Sequence, residues 1–208
     1  MTDLLLVTDT QSEPINDLDL FWATMPQSKK LSQRELYISK QSPERIVKFI
    51  DKNNGKGIAA EKLARCRFTS LGERKKGKEQ TGYDHIINVN SQIMYIEQKT
   101  SGHWSEHDYR WQHVELGHKW DFLLLCGIDF HEVKFWGMTR AMVEHLIIEN
   151  KITNQGNKKK DSSEGVWFNY MEVRDYLVEI TTNADMVQFA SSSSATAISE
   201  AAVSAISV

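Results

Sequence analysis

Cysteine is nearly absent: the 208 residues hold only Cys66 and Cys126, 60 positions apart and without a C-x-x-C spacing. That argues against a disulfide framework and against a zinc ribbon. Long hydrophobic runs are missing too. The longest, Phe122-Leu123-Leu124-Leu125-Cys126, falls far short of the ~20 residues that a bilayer-spanning helix needs. Nor is there an excess of one charge sign: 25 Lys and Arg face 28 Asp and Glu, a formal net of −3. Binding to a polyanion must therefore come from local patches instead of bulk charge. The first 20 residues carry five acidic and no basic side chains, unlike a secretory leader. These absences lead to the expectation of a soluble cytoplasmic protein with no membrane partner. What is present, 40% hydrophobic and 25% charged residues, is enough to bury the core of one domain with a small appendage.

Charge and pattern then divide the chain. Residues 62–78 hold Lys62, Arg65, Arg67, Arg74, Lys75, Lys76 and Lys78 against the single Glu73, and Lys158-Lys159-Lys160 form a second basic cluster. Pro43 after Ser42 starts a helix carrying Ile46, Val47 and Ile50. A second helix is expected from Gly57 to about Phe68, with Ile58, Ala59, Leu63 and Cys66 as its apolar face. Strand-like runs follow at Tyr83–Asn88 and Ile93–Lys99 around a tight turn, and again at Trp120–Ile128 and Glu132–Trp136. Ser105–Val114 reads as a short helix between them. Thr139 caps a helix with Met142, Val143, Leu146 and Ile147 on one face, and Trp167–Tyr170 and Val173–Ile180 read as a strand and a last helix. Of the 19 residues from Ala190, 13 are Ser or Ala, the composition of a flexible tail. The expected organisation is an N-terminal helical extension (1–54), an α/β core (55–136), helix and loop elements (137–189) and the Ser/Ala tail (190–208).

Chemistry concentrates in Gly82-Tyr83-Asp84 and Tyr95-Ile96-Glu97-Gln98-Lys99. Strand alternation sets Tyr95, Glu97 and Lys99 on one face and Met94 and Ile96 on the other. A tight connection between the two strands returns Glu97 alongside Asp84. Two carboxylates meeting at a sheet edge repel each other unless a hard cation joins them. A lysine beside them can hold a water and stabilise negative charge developing on a phosphate.

This arrangement, Asp-x12-Glu-x-Lys on successive strands, resembles the PD-(D/E)XK nuclease superfamily, in which type II restriction endonucleases are found, although Tyr83 stands where the motif has proline. The resemblance covers roughly residues 55–136. It implies a restriction-endonuclease-like αβββαβ core, a central mixed sheet flanked by helices. It further implies a Mg²⁺-dependent, sequence-specific endonuclease cutting double-stranded DNA to leave 5′-phosphates. Asp84 and Glu97 would ligate Mg²⁺ with the Gln98 carbonyl, Lys99 would position the water, and Glu61 would be a supporting carboxylate on the first core helix. Trp111-Gln112-His113 falls where the helix after the lysine strand belongs, with Gln112 a further candidate. Such enzymes generally act as homodimers on palindromes.

For the DNA itself, Arg74, Lys75, Lys76 and Lys78 run straight into the first catalytic strand and are candidates for phosphate contacts. In the polar stretch that follows Thr153, Asn154, Gln155, Asn157 and Lys158 are candidates for base reading. Three other readings compete. A junction-resolving or repair nuclease would need a branch or lesion in place of a fixed sequence. A non-catalytic DNA-binding module would never meet metal. The literal H-x-x-E-H at His103-Trp104-Ser105-Glu106-His107 matches a zinc-peptidase pattern, provided that it lies on a helix.

Overall fold

The run Phe122-Leu123-Leu124-Leu125-Cys126 is buried on both faces, and a strand with no wet face needs neighbours on its edges and cover on both sides. The computed structural model, which describes residues 31–52, 55–74, 82–105, 108–154 and 165–206, supplies them in the following order. Helices α1 (Gln33–Ser39), α2 (Glu44–Ile50) and α3 (Lys56–Arg67) come first. Strands β1 (Gly72–Glu73), β2 (His85–Val89), β3 (Gln92–Ser105), β4 (Asp108–Val114), β5 (Phe122–Ile128) and β6 (Val133–Thr139) follow. Helix α4 (Arg140–Ile148), β7 (Thr153–Asn154), β8 (Val166–Asn169), α5 (Tyr170–Val173), a 3₁₀ turn (Arg174–Tyr176), β9 (Val178–Glu179) and α6 (Asn183–Ile206) complete the sequence of elements. From Ser32 onward these form one unit, an α/β arrangement of a mixed sheet flanked by helices. Among the described residues no helix is long and apolar enough to cross a membrane.

The longest strand, β3, organises the sheet. Its first part pairs antiparallel with β2, from Val89 opposite Gln92 to His85 opposite Ile96. Asn90 and Ser91 both take positive φ between them, the backbone hand that a two-residue hairpin turn requires. Its middle, Ile96 to Gly102, runs parallel to β5, and β5 pairs antiparallel with β6. Its end pairs with β4 through His103 and Ser105. Residues 97–101 thus have a strand partner only at β5, leaving their other edge open among the described residues. Past the end of β5, helix α1 takes over the pairing. The His103 N–H donates to the Tyr37 hydroxyl at 2.9 Å and the Gln33 amide donates to the His103 carbonyl at 3.0 Å. Tyr37 in turn donates to the Ile128 carbonyl.

Each face of the sheet has its own core. On one, Met94, Ile96, Phe122, Leu124 and Cys126 pack against α3 and α6. On the other, Leu123, Leu125, Trp136 and Met138 pack against Trp111, Phe168, Val143 and Leu146. Helix α4 is capped as its sequence requires, the Thr139 hydroxyl accepting from the Met142 N–H at 3.2 Å.

Four local expectations are corrected. Ser105–Val114 contains strand β4 and no helix, because Tyr109, Trp111 and Val114 are buried on a strand whose other residues are wetter. The crossover from β3 to parallel β5 therefore passes through a strand. In Val173–Ile180 a 3₁₀ turn and β9 replace the expected helix. Helix α3 buries Ala60 and Ala64 and leaves Ile58 and Cys66 exposed, since alanines let the helix lie close to the sheet. The stretch expected to be a flexible tail continues α6, with Met186, Ala190, Ser193 and Ser194 buried. The Ser193 hydroxyl is satisfied by the Phe189 carbonyl one turn back at 2.9 Å, so a polar residue is buried there without an orphaned donor.

Gly102 marks how tightly α1 and α2 close over β3. A Cβ there would lie 2.2 Å from Ile50 Cδ1, 2.8 Å from Gln33 Nε2 and 3.1 Å from the Tyr37 hydroxyl. Overpacking of this kind costs about 1–3 kcal/mol, so Gly102→Ala is expected to lower Tm by roughly 2–10 °C. A thermal scan checks this, and an unchanged Tm would contradict the packing of both helices on that strand.

Candidate active site

At the open edge of β3 the pairing with β2 is completed by a side chain. The Asp84 N–H donates to the Ile96 carbonyl at 2.8 Å, and the Asp84 carboxylate accepts the Gln98 N–H at 2.8 Å. This fixes one carboxylate where β2 stops. Glu97 and Lys99 share a face of β3, with Lys99 Nζ 2.6 Å from Glu97 Oε1, and both side chains are largely buried. Glu61 enters from α3, within 4.0 Å of Arg65, and Arg74 lies 3.9 Å from Asp84.

The electrostatics show how closely these groups converge. Burial raises the Glu97 carboxyl above the ordinary range; Lys99 opposes that shift and Asp84 adds to it. Glu61 is also raised, first by burial and then by Asp84, with Arg74 and Arg65 pulling it down and Glu97 a weaker, more distant influence. Three carboxylates thus repel one another around one strand edge, partly relieved by Lys99, Arg65 and Arg74.

Two residues that the sequence did not single out shape this edge. Arg65 lies 3.2 Å from His85 Nδ1, and His85 Nε2 lies 2.8 Å from the Gln98 side-chain oxygen. An arginine only donates, so Nδ1 accepts and the proton sits on Nε2, facing Gln98. Burial lowers the His85 pKa in keeping with this neutral form. The Gln98 amide nitrogen is buried and has no partner among the described residues. The available signal was the adjacency of His85 to Asp84 and the helical spacing of Arg65 from Glu61.

The donors that could hold a metal are hard oxygens. Among the described residues, no group of three or more His, Cys, Asp or Glu could hold a metal ion by side chains alone. The set at this edge is instead Asp84, Glu97 and the Gln98 carbonyl. The N–H and C=O of one strand residue point to the same edge, so that carbonyl lies on the side of Asp84. Two carboxylates and a carbonyl, completed by water, suit Mg²⁺ better than a softer ion. Two raised carboxyls that neighbouring cations only partly relieve fit a divalent ion.

Beside this edge lies a cleft of ≈430 Å³ lined by Gln98, Lys99, Lys56, Trp104, Arg110 and Gln112, among others. Gln112 thus shares a cavity with Lys99, although on a strand and not on the expected helix. Lys56 donates to Gln33 at 3.0 Å, and burial lowers its pKa. The Arg110 guanidinium sits between two indoles, 5.3 Å from Trp104 and 4.7 Å from Trp167, and is tied to Asn169 at 2.9 Å. Trp104 is half exposed.

Several expected residues fall elsewhere. Asn154 ends β7 opposite Val166, while Lys75, Lys76, Lys78, Gln155, Asn157 and Lys158 lie outside the described residues. The H-x-x-E-H reading fails on its helix: His103 is in β3, and Glu106 and His107 lie outside the described residues.

A carboxyl that holds its proton more tightly folded than unfolded loses stability as pH rises past its unfolded value near ~4.3. Glu97→Gln and Glu61→Gln are therefore expected to melt above the parent at about pH 7.5 in EDTA, the gain fading below about pH 4. Thermal scans across that range measure it, and equal melting at the upper end would contradict the raised carboxyls.

Comparison of the chain with protein-family models, with curated proteins and with solved structures finds no match, so the reading of this site rests on its own residues and geometry.

Proposed function

We propose that the chain is a Mg²⁺-dependent endonuclease of the PD-(D/E)XK kind, with a restriction-endonuclease-like core, that hydrolyses phosphodiester bonds in double-stranded DNA at specific sequences. The observation that carries this reading is the Glu97–Lys99 pair meeting Asp84 at the open edge of β3. A bare ion pair on a strand is commonplace. One that is buried, crowded by a second and third carboxylate and opened onto a cationic cleft is suited to phosphoryl chemistry.

In this reading Asp84, Glu97 and the Gln98 carbonyl would hold Mg²⁺, whose chemistry there would be charge neutralisation and a lowered pKa of water. Lys99 orients the attacking water and donates to the phosphate oxygen on which negative charge grows. Its contact with Glu97 at 2.6 Å fixes its ammonium for that task. Glu61 acts through Arg65 and the shared field instead of at the reacting atoms. Arg74, Lys56 and Arg110 hold flanking phosphates, and Trp104 offers an aromatic face beside them. The products carry 5′-phosphates. Residues 137–189 supply recognition or dimer contacts, and a homodimer would match a palindromic site.

Incubation with long duplex DNA of known sequence, in Mg²⁺ and in EDTA, is the direct test. Discrete fragments in Mg²⁺ alone are expected. Cleavage only of branched or mismatched duplexes would move the assignment to a structure-specific nuclease, and no cleavage of any duplex would overturn catalysis. Lys99→Ala and Glu97→Ala should each reduce cleavage by at least about 10²-fold while retaining much of the DNA affinity; full activity in either would refute the site. Arg110→Ala is expected to weaken duplex binding several-fold and to flatten the slope of log K against log salt by about one. A salt titration of binding in EDTA reads both effects.

A further inference from the structure

Strand β4 pairs with β3 only through His103 and Ser105 and then peels away from it. At the fork the Ser101 hydroxyl takes the place of a backbone acceptor and receives the Arg110 N–H at 2.9 Å. The wedge between the two strands is the cleft of ≈430 Å³ onto which Lys99 opens. Lys56, Lys99 and Arg110 are in its lining, and none of the described residues that line it is Asp or Glu. A wall with that balance attracts an anion and repels a cationic partner.

Trp104 belongs to the same lining, and a cation holds its indole from one side. The Arg110 guanidinium lies over that ring at 5.3 Å and is backed by Trp167 at 4.7 Å. Its Nε donates to Asn169 Oδ1 at 2.9 Å. The Asn169 amide nitrogen is turned to Glu172 at 3.1 Å, which aims the amide oxygen at the arginine. The guanidinium is thus placed before any ligand arrives, and its two terminal nitrogens carry four further donors. Fixing such a long side chain in advance lowers the entropic cost of binding. Yet 52% of Trp104 stays exposed, whereas Trp111 and Trp120 are 0% and 2% exposed in the core. The indole is held in position and still offered to solvent.

An exposed indole with a fixed cation behind it and more cations along the same wall suits a polyanion that carries flat rings along its length. Single-stranded nucleic acid is such a polymer: cations track its phosphates, and its unpaired bases stack on aromatic side chains. An acidic peptide would use the cations and leave the indole bare. An intact duplex would do the same, because the faces of its bases are covered by their neighbours. We infer that this cleft binds a single-stranded stretch of nucleic acid, with one unpaired base stacked on Trp104 and neighbouring phosphates on Arg110 and Lys56. The inference narrows the DNA substrate proposed above to DNA whose strands part beside Lys99, and its phosphate contacts rest on that reading.

Fluorescence anisotropy in EDTA with the full chain tests this without cleavage. The probes are a deoxythymidine oligomer, an oligomer of the same length whose sugars carry no bases, and a blunt duplex of that length. The parent is expected to bind the deoxythymidine oligomer more tightly than the base-free one. Trp104→Ala is expected to remove that difference, a loss of about tenfold, while base-free and duplex binding stay as they were. Trp104→Phe, which keeps a ring, is expected to restore most of the loss. If the parent binds both oligomers alike, or if Trp104→Ala binds deoxythymidine as the parent does, the inference is overturned while duplex binding leaves the DNA reading standing. If a poly-glutamate peptide of equal charge displaces the probe as well as unlabelled deoxythymidine oligomer does, the cleft is a plain anion site and the inference is again overturned. If no nucleic acid binds, single-stranded or duplex, both readings fall together.

Discussion

The parallel pairing of β3 with β5 is the interaction on which the rest depends. It commits one edge of β3 from Ile96 to Gly102, and the other edge is left to shorter partners at its two ends. The gap between them is where Asp84 substitutes a carboxylate for a missing backbone partner. It is also where the backbone of Gln98 and the side chains of Glu97 and Lys99 become available to a ligand. A wider β2 would close that edge and remove the site. Where β5 ends, the same strand relies on Tyr37 and Gln33.

Burying two carboxyls next to a third works against folding, and the surrounding cations only partly offset it. Such concentrations of unfavourable charge are kept where chemistry needs them. The neighbouring Arg65–His85–Gln98 relay carries no net repulsion. It fixes the Gln98 side chain on the α3 face, so that its backbone is presented on the edge of Asp84.

Much of this edge was legible in the sequence because strand alternation is a strict rule: Glu97 and Lys99 two residues apart must share a face, and a tight turn must return them to Asp84. Composition misled where burial depends on partners. Ile58 read as core because it is apolar, yet the helix turns Ala60 and Ala64 to the sheet, with Leu63 at the margin, and leaves Ile58 on the outer face. Tyr109 and Trp111 read as a helix because polar residues separate them, although that spacing is a strand's period. The Ser/Ala stretch read as a tail because propensity ignores hydroxyls satisfied one turn back. Trp104, Arg110 and Lys56 carried no signal at all, since they meet only through the folded crossing of α3, β3 and β4.

The bond from Tyr37 to the Ile128 carbonyl joins residues 91 positions apart, whereas Asp84 and Gln98 are 14 apart. Closing a longer loop carries a larger entropic penalty, and non-local contacts are slow to form. The Asp84–Gln98 contact is thus local to the β2–β3 hairpin. The two ends of β3 therefore differ in how far along the chain their partners lie: a local hairpin fixes Asp84 at one end, and the return of α1 closes the other.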